Sequence, residues 1–375
     1  MFRKYFFLYL WQSKTSVMAQ IYSKIIGTGS YIAPRVIKNE DFINNDFFET
    51  YGKRIEKSPE ETIQKFYEIT GIKERRYVEE GKKNSDISTE AARKAIENAG
   101  IDPESIDLII LAHNYGDADQ NRHSDMVPAL AARVKHYLGI KNPYCIPYDV
   151  VFGCPGWILA MTIANYYIKS GEVKRALIIG AEVLSYFMDP HDRDSMIFAD
   201  GSGATILEAV ESEEPIGIVS HQTRNDAYNE AFYIYNNHSL NPDYKGEHNF
   251  FTKMHGHKVY EYALKNVPDV VKKAIDKAGV PLEKIKKILI HQANEKMDSA
   301  IVKRLFRLYG YKTFPPEIMP MTIGWLGNSS VATIPTMLDL ILRGKMEGHT
   351  LKEGDYAVFT SIGAGMNINA IVYKF

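Results

Sequence analysis

The apolar positions of this chain fall into two series that repeat each other. Lys94-Ala95-Ile96-Glu97-Asn98-Ala99-Gly100 is followed by a short polar loop and the apolar run Leu108 to Ala112. Lys273-Ala274-Ile275-Asp276-Lys277-Ala278-Gly279 is followed in the same way by Ile288-Leu289-Ile290, at a constant offset of 179 residues. Each copy predicts a helix, a glycine stop, a loop and a buried strand. A second pair follows. A helical pattern from Gly153-Cys154 to Ser170-Gly171 precedes a strand at Ala176 to Gly180. Another from Gly327-Asn328 to Arg343-Gly344 precedes a strand at Tyr356 to Ser361. An earlier strand is expected from Ile21 to Gly27. The pattern is that of two similar α/β halves with a site shared between them.

No linker rich in Pro, Gly or Ser divides the halves, so the charged stretch Glu208 to Glu214 is the expected boundary. This gives one half at 21–210 and a second at 211–375. Residues 1–20 are expected to be a disordered leader, or one wrongly assigned to the protein ahead of Met18. The run Tyr5 to Trp11 is too short to span a bilayer, which needs about 20 residues, and a membrane-touching tail is the alternative. The 375 residues are ample for a large core. With 45% apolar and 24% charged residues and a net charge of −1, no broad field marks nucleic acid or membrane as a partner. Neither is expected. The two cysteines, Cys145 and Cys154, fit no metal spacing and read as reduced cytoplasmic thiols.

Three polar residues interrupt this apolar framework. Cys154 follows the strand-like Tyr148-Asp149-Val150-Val151-Phe152 and opens a helix. Backbone N–H groups and the positive dipole end there are expected to favour thiolate. Pro155 suits the first helical position, and Gly153 and Gly156 permit a sharp turn and close approach of a substrate. His291 ends a buried strand, so its imidazole is expected to be shielded, neutral and able to donate through Nε2. Asn328 follows Gly327 before an apolar helix. Taken alone, Cys154 could be an inert buried thiol, His291 a core histidine and Asn328 a helix N-cap. The duplication sets Asn328 opposite Cys154 and His291 opposite Ala112. A thiol nucleophile with two hydrogen-bond donors suits acyl transfer through a thioester.

Cys154 in Gly-Cys-Pro-Gly, the string His291-Gln292-Ala293-Asn294, and Gly327-Asn328-Ser329-Ser330 resemble the β-ketoacyl-acyl-carrier-protein synthase III family of thiolase-fold condensing enzymes. Supporting strings are Ile26 to Ile32 with Pro34, Ile69 to Arg75, Asp192-Arg193, Phe198 to Ala204, and Gly363-Ala364-Gly365. The resemblance covers about Ile21 to Phe375. It implies thiolase-like duplicated α/β halves in a layered α-β-α-β-α arrangement. It also implies a decarboxylative condensation in fatty acid or related polyketide synthesis. An acyl primer loads onto Cys154; malonyl-acyl-carrier protein then loses carbon dioxide and its enolate attacks the thioester. His291 and Asn328 would hold the malonyl thioester oxygen, and the backbone N–H groups of Cys154 and Ala364 would form the primer's oxyanion hole. A homodimer, a cytoplasmic location and no metal or other cofactor are further implications.

The chain departs from that pattern in places. Pro155 stands where the family has Ala or Ser. Lys65 and Ile69 stand where a Trp and an Arg hold the adenine end of coenzyme A, while Arg193 matches a second nucleotide-side Arg. Primer carriage stays open between coenzyme A and a carrier protein. Val127 stands where a Phe borders the neighbouring subunit's acyl pocket, which would admit a longer or branched primer. Lys296, Lys303 and Arg304 are expected on one face of the helix after His291, where the family docks its acidic carrier protein. The alternatives are a non-catalytic ketosynthase-like acyl-binding subunit and a thiolase. A thiolase normally needs a second cysteine near the C-terminal glycine loop, where Ser361 to Asn367 has none. His238, His248, His255 and His257 lack the carboxylate or cysteine help of a metal site. Gly27-Thr28-Gly29 lacks the rest of a dinucleotide motif.

Overall fold

The first half is organised by one long sheet whose inner strand is apolar throughout. The computed structural model describes residues 19–118, 123–247 and 250–375, so most of the expected leader and His248 lie outside the described residues. In chain order come β1 (Gln20–Ile32), β2 (Arg35–Lys38), α1 (Pro59–Thr70), β3 (Glu74–Tyr77), α2 (Asn84–Ala99) and β4 (Leu108–Ala112). Then follow β5 (Asp117–Ala118), β6 (Ser124–Asp125), α3 (Leu130–Leu138), β7 (Ile146–Val150), α4 (Gly156–Ser170), β8 (Arg175–Val183) and β9 (Asp200–Ser212). The strand order is β1-β9-β8-β4-β7. β4 runs parallel to β7 and β8, and β9 lies antiparallel between β8 and β1.

The second half repeats the plan. It contains β10 (Gly217–Asn225), α5 (Ala227–Glu230), β11 (Ile234–Asn237), β12 (Phe251–Met254), α6 (Gly256–Ala278), β13 (Ile285–Ile290) and α7 (Glu295–Leu308). It closes with α8 (Ile323–Leu326), α9 (Thr333–Leu342), β14 (Tyr356–Gly363) and β15 (Asn367–Lys374). Its sheet has the order β10-β15-β14-β13, so β4, β8 and β9 correspond to β13, β14 and β15. The paired glycine stops act as left-handed caps, Gly100 at φ 64 and Gly279 at φ 66.

Alternation along the strands builds the layers. Leu108 and Ile110 of β4 and Leu289 of β13 point into a central core with α4 and α9. Ile109 and Leu111 face outward onto α2 and α3. Ile288 and Ile290 do the same toward α6 and α7. The result is the expected α-β-α-β-α stack. Small residues let the halves touch: a Cβ on Gly180 would lie 2.4 Å from Val331 O, and one on Gly203 would lie 2.6 Å from Thr336 N. Among the described residues no helix is long and apolar enough to cross a membrane.

Three expectations change. β8 runs past Gly180 to Val183 because β9 pairs with it to its end, Val183 against Asp200. The helix after Asn328 becomes regular only at Thr333, behind a 3-10 turn at Ser330–Ala332. Asn328 is held extended instead, bridged in parallel to Phe198. Pro155 is the N-cap rather than the first helical residue, and α4 starts at Gly156. The charged stretch Glu208 to Glu214, expected to part the halves, takes in the end of β9 at Ser212 and the start of the loop before β10.

Candidate active site

Cys154, His291 and Asn328 line one cavity of about 280 Å³, together with Ala364 and Ser330. They reach it from three separate segments. Gly153, at φ 65, turns the chain out of β7 so that Cys154 faces the cavity ahead of α4. A Cβ on Gly153 would lie 2.7 Å from the Ala364 N, and one on Gly363 would lie 2.4 Å from the Cys154 N. The two backbone segments expected to form the oxyanion hole are therefore pressed together. Gly156 does a different job from the one expected: its missing Cβ would meet the Ala112 Cβ at 3.0 Å, so it serves packing of α4 on β4, not substrate approach.

His291 follows β13, with its backbone N–H donating to Thr360 O at 2.9 Å. The ring is 3% exposed, and burial lowers its pKa to about 4. It is neutral at physiological pH. Nδ1 is buried without a partner among the described residues. A bare lone pair costs less than a bare N–H, which assigns the proton to Nε2. Gln292 then staples this strand end to the next segment. Its Oε1 accepts from the Thr322 and Ile323 N–H groups, and its Nε2 donates to Pro320 O. Asn294 caps α7 by accepting from Met297 N.

Asn328 is fixed on both sides. Its N–H donates to Ile197 O at 2.9 Å and its carbonyl accepts from Ala199 N at 2.8 Å. Its Oδ1 accepts from Ser330 N at 2.8 Å, which leaves Nδ2 as the donor end of the amide. The sharp turn before it needs Gly327, at φ 71, whose Cβ would collide with the Arg75 Cβ at 2.6 Å. The expected thiolate at Cys154 is not what its surroundings favour. Burial raises the thiol to about 11, against the lowering effect of Ser330 Oγ, which donates to Sγ at 3.3 Å. The helix start is too weak to offset removal from bulk water. Cys145, raised to about 11 as well, is buried just before β7 and lines no part of the cavity.

Two family models match the chain: 3-oxoacyl-acyl-carrier-protein (ACP) synthase III over residues 148–227 and its C-terminal counterpart over residues 275–375. The β-ketoacyl-acyl-carrier-protein synthase III of Koribacter versatilis is 30% identical over 360 residues, covering 94% of this chain and 98% of that one. That of Erythrobacter litoralis is 32% identical over 358 residues, covering 95% and 100%. The chain belongs to the β-ketoacyl-acyl-carrier-protein synthase III family. The crystal structure of the Aquifex aeolicus 3-oxoacyl-acyl-carrier-protein synthase III superposes with a TM-score of 0.75 at 30% identity, covering 94% of this chain and all of that one. The fold is thus the thiolase-like fold of these condensing enzymes, and the protein is an acyltransferase.

Other residues singled out by the synthase III resemblance lie outside the cavity. Arg193 is half-exposed on a 3-10 turn, 3.9 Å from Asp194. Val127 is 85% exposed and precedes Pro128. Lys296 and Lys303 line a shallow groove on α7 with Tyr67, Glu68 and Glu295. Arg304 does not share their face. Its Nη1 donates to Leu264 O of α6, because it sits a quarter-turn round the helix from Lys303. Lys65 pairs with Glu68 at 3.9 Å and Ile69 is exposed.

Sequence reasoning missed the cavity's roof, the β11–β12 hairpin, whose Tyr235 and Asn236 line it. Its strands lie in the stretch that drew attention only for histidines. Among the described residues no cluster of His, Cys, Asp or Glu could hold a metal ion. Also missed were Asn114, Glu182 and the role of Ser330. A carboxylate at the end of the apolar β8 was the available signal for Glu182.

Proposed function

We propose that Cys154 accepts an acyl primer as a thioester and that malonyl-acyl-carrier protein then condenses with it after losing carbon dioxide. The observation that carries this reading is the shared cavity. One thiol, one neutral imidazole and one amide with a free donor end meet there. Sγ attacks the primer carbonyl, whose developing charge is held by the N–H groups of Cys154 and Ala364. The carrier's or coenzyme's thiol leaves. His291 Nε2 and Asn328 Nδ2 donate to the malonyl thioester oxygen, so the electron pair released with carbon dioxide is stabilised as an enolate. A neutral imidazole suits that role because it donates without needing a proton from solvent.

The same reading assigns the nucleophile to a half at 21–210 and the two donors to a half at 211–375. Lys296 and Lys303 would meet the acidic carrier protein, with Arg304 at the margin, and Arg193 would contact the nucleotide side of a coenzyme A donor. A homodimer is supported by β7. It is an edge strand, and Tyr144, Ile146, Val151 and Val127 leave apolar side chains along it and its flanking loops exposed. In that dimer Val127 would border the neighbour's acyl pocket. Two free thiols suit the reducing cytoplasm. Product use in fatty acid or polyketide synthesis follows from the family.

Intact-mass measurement after exposure to acyl-coenzyme A and acyl-carrier-protein donors tests the reading. A mass gain that maps to Cys154 supports it. Absence of an adduct with every donor, in protein that binds them, refutes it.

A further inference from the structure

The cavity's nucleophile is the end of a chain of side chains that the condensation mechanism leaves unused. Ser330 Oγ donates to Cys154 Sγ at 3.3 Å. Asn114 Nδ2 donates to that same Oγ at 3.3 Å and to Glu182 Oε1 at 2.6 Å. The four groups come from four segments: the turn before α4, the turn after Asn328, the loop after β4, and the end of β8. Ser330 adopts φ 52, a left-handed conformation that is strained for a residue with a side chain. The Asn328 Oδ1 accepts from its N–H and holds it there. The strain sets Oγ between the thiol and the amide. Glu182 is fully buried, and its Oε2 has no partner among the described residues. Nothing in the packing of β8 explains a carboxyl at that point.

We propose that Ser330 is a further catalytic residue that donates to the Cys154 sulfur, and that Asn114 and Glu182 are positioning residues that aim it and couple the thiol's protonation to the carboxyl's. The inference rests on Cys154 being the nucleophile. Asn114 gives its N–H to the Ser330 oxygen, so the serine's own proton is turned toward Sγ, where it stabilises negative charge. Glu182 fixes the amide that does this. Burial raises the Glu182 carboxyl to about 8, so it is mostly neutral at pH 7. An ionised Glu182 raises the Cys154 pKa, whereas a neutral one does not oppose the thiolate. The other titratable groups whose charge bears on Glu182 are Asp200 on β9 and Tyr115 after β4, and no cation among the described residues offsets them. His291, across the cavity from the thiol, is neutral above about pH 4.

The test is the rate of Cys154 alkylation by iodoacetamide from pH 6 to about pH 12, a range that spans the thiol's value of about 11, read by peptide mass mapping of the full-length protein. Cys145 serves as an internal control. This readout needs no acyl donor, so it separates the coupling from the identity of the nucleophile, which the acyl-adduct measurement tests. Glu182→Gln keeps an acceptor for Asn114 but cannot ionise. It should lower the apparent Cys154 pKa by on the order of one pH unit and lack the inflection near pH 8 expected of the wild-type profile from the Glu182 carboxyl. Ser330→Ala and Asn114→Leu should each raise the apparent pKa, and the double variant should do no more than Ser330→Ala alone. A Glu182→Gln profile that overlies the wild type, or an equal shift at Cys145, overturns the proposal. Should Glu182→Gln not fold, Ser330→Ala, at the cavity wall, decides: an unchanged thiol pKa there rejects the chain of contacts.

Discussion

The Gly153-Cys154 turn and the Gly327-Asn328 turn occupy matching places in the two halves, yet they are built to opposite ends. The first leads almost directly into a regular helix, and its side chain faces the cavity and accepts from Ser330 Oγ. The second is tied down by a parallel bridge to Phe198 and delays its helix to Thr333. A nucleophile must be reachable and must move through acylation. A donor gains from immobility, since preorganised dipoles need no rearrangement as charge develops. The difference teaches that a duplicated scaffold supplies equivalent positions, and that local hydrogen bonding then decides which chemistry each one can carry. Ser330 joins the two turns, being held by Asn328 and donating to Cys154.

Substitution at the two turns breaks the comparison most sharply. Cys154→Ala should reduce condensation to background, because no covalent intermediate can form. Asn328→Ala should leave condensation measurable but about 10²–10³-fold slower, the usual loss for one oxyanion-type donor. Steady-state turnover with malonyl-acyl-carrier protein reads both. Equal residual rates would mean that the two turns do not have separate roles.

The glycines come next. Gly327→Ala forces a side chain into φ 71 and against the Arg75 Cβ at 2.6 Å. It should cost at least about 1–3 kcal/mol of stability, seen as a lower thermal midpoint. Gly153→Ala, at φ 65, should cost a similar amount and should also displace Ala364, slowing primer loading. A Gly153→Ala variant that is destabilised yet loads at the wild-type rate would remove Ala364 from the primer side.

The pH dependence of the two halves should differ. The unfolded His291 titrates at 6.5 and the folded one at about 4. The unfolded state therefore binds more protons between those values, and stability falls as pH drops through that window. For Cys154 the folded thiol, at about 11, lies above its ordinary value of 9.0, so its contribution is lost as pH rises through that range. Denaturant unfolding of the wild type against His291→Gln and Cys154→Ala should flatten the acid limb in the first variant and the alkaline limb in the second.

The smallest effect lies outside the cavity. Lys296→Glu with Lys303→Glu should weaken malonyl-acyl-carrier protein binding at low salt. The loss should shrink as screening sets in, over about 10 Å at 0.1 M. Arg304→Glu alone should do less, because that guanidinium is occupied on Leu264 O. Primer loading from a coenzyme A thioester should be unchanged in both variants, which confines the defect to the carrier protein.

Much of this was legible in the sequence, and the reasons are local. Leu108 to Ala112 is a strand because five apolar residues sit between turn signals, and Gly100 and Gly279 end helices because only glycine is at ease there. The places of Cys154, His291 and Asn328 were visible because each breaks an apolar pattern. What stayed hidden depends on contacts far apart in the chain. β8 extends to Val183 only because β9 pairs with it. The tie of Arg304 to the Leu264 carbonyl joins two helices, although its departure from the face of Lys303 follows from the step of about 100° between neighbours on a helix. The thiol's raised pKa comes from the walls of the cavity, which no spacing along the chain encodes.

The most direct test runs two measurements on one set of variants: intact mass for acyl transfer to the enzyme, and carbon dioxide release from malonyl-acyl-carrier protein. His291→Ala and Asn328→Ala should still take up the acyl group at Cys154 and should release carbon dioxide slowly or not at all. Cys154→Ala should take up no acyl group. Wild-type carbon dioxide release by either donor variant, or an acyl adduct that persists in Cys154→Ala, would contradict the division of labour between the two halves.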